Sequence, residues 1–81
     1  MNQAAGASNW FREGGIWQRA VAPNTWAFVR LSNQRFEVAT GTNGKPDKWA
    51  DYCDAKGGSF VQELKAKRRA TALARKLIKG G

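Results

Sequence analysis

IWQRAVAPNTWAFVRLSNQRFEVAT, residues 16–40, is the stretch whose reading decides the fold. Residues 16–22 form one strand-like run. Pro23-Asn24 is a turn signal, because Pro presets φ and Asn tolerates left-handed geometry. Residues 25–32 are rich in aromatic and β-branched side chains and read as a second strand. Asn33-Gln34 makes another short turn, and residues 35–40 form a third strand. Connections of two residues allow only an antiparallel meander, since parallel strands need a long crossover.

On the N-terminal side, Gly14-Gly15 breaks the chain. Residues 9–13 form a short strand or turn that pins Trp10 and Phe11 onto the core. Residues 1–8 are small, polar and without period, so a disordered tail is expected there. On the C-terminal side, residues 41–46 (GTNGKP) read as a loop. Asp47 is placed to cap a short helix over 48–56 that carries Trp49, Ala50, Tyr52 and Cys53, with Gly57-Gly58 ending it. Ser59 and Gln62 have capping-box spacing. The Ala-, Leu-, Lys- and Arg-rich run from Phe60 to about Lys79 is strongly helix-forming. The expected architecture is α+β: a three-stranded antiparallel meander over 16–40, then helices over 48–56 and 60–79. Residues 9–81 make a single small domain.

Composition narrows the function. The chain has 81 residues, 14 Lys plus Arg against 6 Asp plus Glu, and a net charge of +8. Such a balance favours a polyanionic partner. No histidine is present, which excludes His-based acid–base chemistry, Ser-His-Asp nucleophiles and His metal ligands. A lone Cys53 excludes an internal disulfide framework and a cysteine zinc site. Neither a signal-like N-terminus nor a membrane-length apolar run is evident, so the expected location is the cytoplasm or nucleoid, reached in the host or by viral delivery.

The charge is unevenly placed. Residues 59–81 carry seven cations and one acid, a net +6, against +2 for the rest. On a helical projection Lys65, Arg68, Arg69, Arg75, Lys76 and Lys79 share one side. Phe60, Ala66, Ala70, Leu73, Ala74, Leu77 and Ile78 share the other, with Glu63 and Lys67 intruding. A solvated helix face normally mixes both signs. A face of one sign fits a phosphate backbone better. The apolar side is mostly alanine, a poor lipid anchor and a good protein-packing face, and it would also serve to pair two copies as a homodimer.

A second cluster interleaves rings and cations along the strands: Trp17, Arg19, Trp26, Phe28, Arg30, Arg35 and Phe36. Alternation sets Ala27, Val29 and Leu31 on one face and Trp26, Phe28 and Arg30 on the other. The second set either packs under a neighbouring segment or stacks on bases. Catalytic constellations are absent. Asp47, Asp51 and Asp54 would share one side of the 48–56 helix, where a cap and surface acids at a helix start explain them better than a metal site. The 41–45 glycine loop lacks P-loop spacing. Cys53 reads as a small buried hydrophobe. No cofactor is implied.

The stretch 15–56 resembles the arm-type DNA-binding domain of phage-type tyrosine integrases. The likeness is carried by Gly15-Ile16-Trp17, by Trp26 to Arg30, by Arg35-Phe36 after a tight turn, and by the Thr40-Gly41-Thr42 that ends the third strand. That resemblance implies a three-stranded sheet backed by a helix and laid in the DNA major groove. Trp17, Arg19, Trp26, Phe28 and Arg30 would then face the groove. No recombinase core follows, so the likeness implies a stand-alone, non-catalytic module. The expected function is therefore binding of nucleic acid, duplex DNA ahead of RNA, through the basic helix and the aromatic–arginine sheet face. The alternative is a small inhibitor or adaptor, such as a phage encodes, that grips an acidic protein through Trp and Arg anchors.

Overall fold

The computed structural model describes residues 9–57 and 60–80. The elements are β1 (Phe11–Glu13), β2 (Ile16–Ala22), β3 (Thr25–Ser32), β4 (Arg35–Thr42), β5 (Lys45–Pro46), β6 (Ala50–Asp54) and α1 (Phe60–Gly80). All strands join one antiparallel sheet. β1 to β4 lie in sequence order, and β5 and β6 both line the outer edge of β4. The expected α+β architecture is present. The turns explain why the meander closes so tightly. Asn33 and Gln34 hold φ of 51° and 63°, and Gly14 and Gly15 hold 60° and 79°. Two successive positive φ values give a two-residue hairpin the twist its strands need.

The 48–56 helix is corrected by the structure: residues 45–46 and 50–54 form two short strands joined by an irregular link, and no helix lies there. Pairing decides this against local helix propensity. β4 already pairs with β3 on one side, from Trp26↔Gly41 to Ser32↔Arg35. Its other edge would leave a row of backbone donors and acceptors unmet. The chain reverses near Gly44, whose φ is 69°, and returns along that edge. Ala50 then faces Val38, Asp51 faces Glu37, Cys53 faces Phe36 and Asp54 faces Arg35. The Asp47 N–H donates to the Thr40 carbonyl at 2.9 Å, and the Ala55 N–H to that of Gln34 at 2.8 Å. Gly41 sits where a Cβ would collide with the Lys45 carbonyl, so the return is tight enough to exclude any side chain there. With no helix here, Asp47, Asp51 and Asp54 do not share a helical face. The expected tail over 1–8 and the capping residue Ser59 lie outside the described residues.

The core forms between one sheet face and α1. Ala27, Val29, Phe36 and Val38 meet Ala66, Ala70 and Ala74, with Ala55 closing one end. Three alanines one turn apart let the helix backbone approach the strands closely, because methyl groups stand where longer side chains would hold the two layers apart. Trp10, Trp17, Val21, Tyr52, Cys53 and Leu73 seal the rim. The apolar stripe is shorter than the helical projection suggests: Phe60, Leu77 and Ile78 are exposed. Leu31, expected in the core with Ala27 and Val29, is exposed as well.

A candidate nucleic-acid interface

Helical periodicity places the cations of α1. With Ala66, Ala70 and Ala74 pressed on the sheet, Lys65, Arg68, Arg69, Arg75, Lys76 and Lys79 are all exposed. Among the described residues the ion pairs are Arg30–Glu37, Arg35–Asp51 and Lys67–Glu63. None involves these six side chains. The outer face of α1 is therefore a row of exposed cations with no acid to offset them.

Lys67 behaves differently because it points inward. Its Nζ lies 3.8 Å from the centroid of the Trp17 ring and 2.9 Å from Glu63 Oε2. This accounts for both residues that intrude on the apolar side. The Thr71 hydroxyl, on the same inner surface, donates to the Lys67 carbonyl at 2.9 Å.

The strand cluster divides between the two sheet faces. Register puts Trp17 opposite Val29 and Arg19 opposite Ala27, on the face that α1 covers. Arg12 adds a second cation over Trp17, at 5.3 Å. Trp26, Phe28 and Arg30 lie on the opposite face, and there they form a second small core. Phe28 is 1% exposed, and Gln18 opposite it is buried too. Trp49 meets Phe28 edge-on at 6.5 Å, and Phe11 meets Trp26 edge-on at 6.0 Å. The Arg30 guanidinium stacks 4.3 Å from the Trp49 centroid, while its Nε donates to Glu37 Oε1 at 2.6 Å. Phe28 thus has no ring surface to offer a base. Phe36 belongs to the core under the helix.

Arg35, the first residue of β4, forms a two-pronged pair with Asp51, Nε to Oδ1 at 2.6 Å and Nη2 to Oδ2 at 2.8 Å. That hydrogen bond holds the Asp51 carboxyl below its ordinary range and raises Arg35. Asp54 Oδ1 accepts from the Lys56 N–H at 2.8 Å. Burial pushes the Cys53 thiol up, against the nearby charges of Arg35 and Lys65.

Sequence reasoning missed Trp49 and Trp10 as partners of the arginines. Trp49 falls within the expected 48–56 helix, and the one signal for its true place is the ring-rich face of β3, which needs a cover. Trp10 lies 5.7 Å from the Arg19 guanidinium and 5.9 Å from Lys67 Nζ. Arg19, Trp10, Lys67 and Thr71 line a groove with Leu64, Arg68, Ala72 and Arg75, of about 390 Å³. Among the described residues, no helix is long and apolar enough to cross a membrane. Set beside known proteins, the chain matches no family model, no curated protein and no solved structure.

Proposed function

We propose that this protein is a non-catalytic nucleic-acid-binding module, with duplex DNA preferred to RNA, held chiefly by phosphate contacts from the outer face of α1. The observation that carries this reading is the row Lys65, Arg68, Arg69, Arg75, Lys76 and Lys79, exposed and without an ion-pair partner among the described residues. Like charges along one face repel, and a polyanion relieves that repulsion while releasing its own counterions.

Fluorescence anisotropy on labelled duplex DNA, single-stranded DNA and RNA, at 50 and 200 mM salt, tests the reading. Affinity that falls by orders of magnitude over this range is the expected result. Charge reversal at Arg68 and Arg69 should remove most of it. No binding at 50 mM salt overturns the proposal.

One observation favours the second reading, an adaptor for an acidic protein. Leu77 is exposed beside a cleft of about 470 Å³ that Val38, Ala50 and Leu73 line and Lys48 and Lys76 flank. An apolar cleft between cations suits a peptide with an apolar anchor and acidic neighbours. Binding of that kind would depend only weakly on salt. Pairing of two copies through the alanine stripe would require α1 to leave its own sheet, since Ala66, Ala70 and Ala74 are fully buried there.

A further inference from the structure

The groove between β2 and α1 is lined by cations and holds no acidic side chain among its lining residues. Two of its polar side chains are already engaged: Lys67 is tied to Glu63 and Trp17, and the Thr71 hydroxyl to a helix carbonyl. Three guanidiniums are left, Arg19 from the sheet and Arg68 and Arg75 from the helix. Arg19 is the telling one. Its Nε is buried and meets no hydrogen-bond partner. Arg19 as a whole is only partly buried, but a buried donor without an acceptor is costly. Burial, and after it the charge of Arg75, pulls Arg19 below the usual guanidinium value, although it stays a cation. The groove is therefore short of one acceptor-rich anion.

We propose that this groove is a phosphate-binding site, in which Arg19, Arg68 and Arg75 close on a single phosphate group beside the Trp10 ring. A phosphate offers several charged acceptors to guanidinium forks, as a carboxylate does to one. At about 390 Å³ the groove lies at the small end of ligand pockets, with room for a phosphate and the sugar attached to it. The proposal deepens the nucleic-acid reading and rests on it for the source of the phosphate, a backbone phosphodiester. Free phosphate shares the chemistry, and the experiment separates the two.

The full 81-residue chain is compared as wild type, Arg19→Gln, Arg19→Lys and Arg69→Gln, the last removing a cation outside the groove. Inorganic phosphate, against chloride at equal ionic strength, should raise the melting temperature of the wild type and of Arg69→Gln but not of Arg19→Gln. On duplex DNA at 100 mM salt, Arg19→Gln should lose about tenfold or more in affinity. Arg69→Gln should lose only a few-fold, and Arg19→Lys should fall between them because it keeps the charge without the fork. If Arg19→Gln does not fold, Arg75→Gln, at an exposed member of the same trio, carries both measurements. Steep duplex binding with an unaffected Arg19→Gln overturns the groove and leaves the nucleic-acid reading standing. A phosphate-specific stabilisation without duplex binding keeps the groove and overturns that reading. No phosphate effect together with unaffected duplex binding by Arg19→Gln removes the site altogether.

Discussion

The sheet and the outer face of α1 use the same cations in opposite ways. Arg30 and Arg35 each close on an acid, and Arg30 also stacks on Trp49. The exposed cations of α1 close on nothing among the described residues. A cation that already has a partner releases little energy on meeting a phosphate, because the old contact is lost as the new one forms. An unpartnered one has no such loss. Interleaved rings and arginines in a sequence therefore mark a binding surface only where the fold leaves them uncommitted. Here the rings of β3 are largely committed to a second core.

The strongest way to break this contrast is Phe28→Ala. As a fully buried ring, Phe28 should cost about 3–5 kcal/mol in chemical denaturation when truncated. A loss near zero would return this sheet face to the candidate surface. Next in size is the double neutralisation Arg69→Gln/Lys76→Gln. It should lower the slope of log affinity for duplex DNA against log salt by about two, while Arg35→Gln leaves the slope unchanged. Equal slopes would erase the distinction between the two regions.

Lys67 sharpens the contrast within one helix. Lys67→Gln should destabilise the fold by about 1 kcal/mol through the lost contact with Trp17, with the salt slope of binding little changed. The smallest effect belongs to the Arg35–Asp51 pair, which is solvent-exposed and screened. The Asp51 carboxyl is lowered in the folded state, so its contribution is present above the ordinary carboxylate value. It fades as the pH falls through the lowered folded value. Asp51→Asn should lower neutral-pH melting slightly and leave melting in strong acid unchanged, which flattens the acid limb of a thermal-melt series by a small amount.

The parts of the fold legible in the sequence are those set by local chemistry. The three long strands follow from turn residues two at a time, and α1 from propensity and period, so their bounds come within a residue or two at most ends. The exposure of Lys65, Arg68, Arg69, Arg75, Lys76 and Lys79 follows from the same period. The remainder is decided at a distance. Residues 45–46 and 50–54 are strand because β4 has an edge to satisfy, and nothing within those residues states it. Phe60, Leu77 and Ile78 sit on the apolar side of the projection, yet the sheet ends before it can cover them. The orphaned Nε of Arg19 depends on β2 meeting α1, a juxtaposition between residues more than forty apart in the chain.

The alanine stripe of α1 has a consequence for association itself. It fastens the helix to a sheet, so the outer cations keep their spacing before any partner arrives. From Lys65 to Lys79 the helix rises about 21 Å at 1.5 Å per residue. That matches roughly six base pairs at 3.4 Å each along one strand of B-DNA. A flexible basic tail of equal charge would have to surrender backbone freedom on binding, whereas this helix surrenders only side-chain freedom. The stripe thus turns a run of lysines and arginines into a ruler, one that would discriminate between polyanions by the regularity and straightness of their charge.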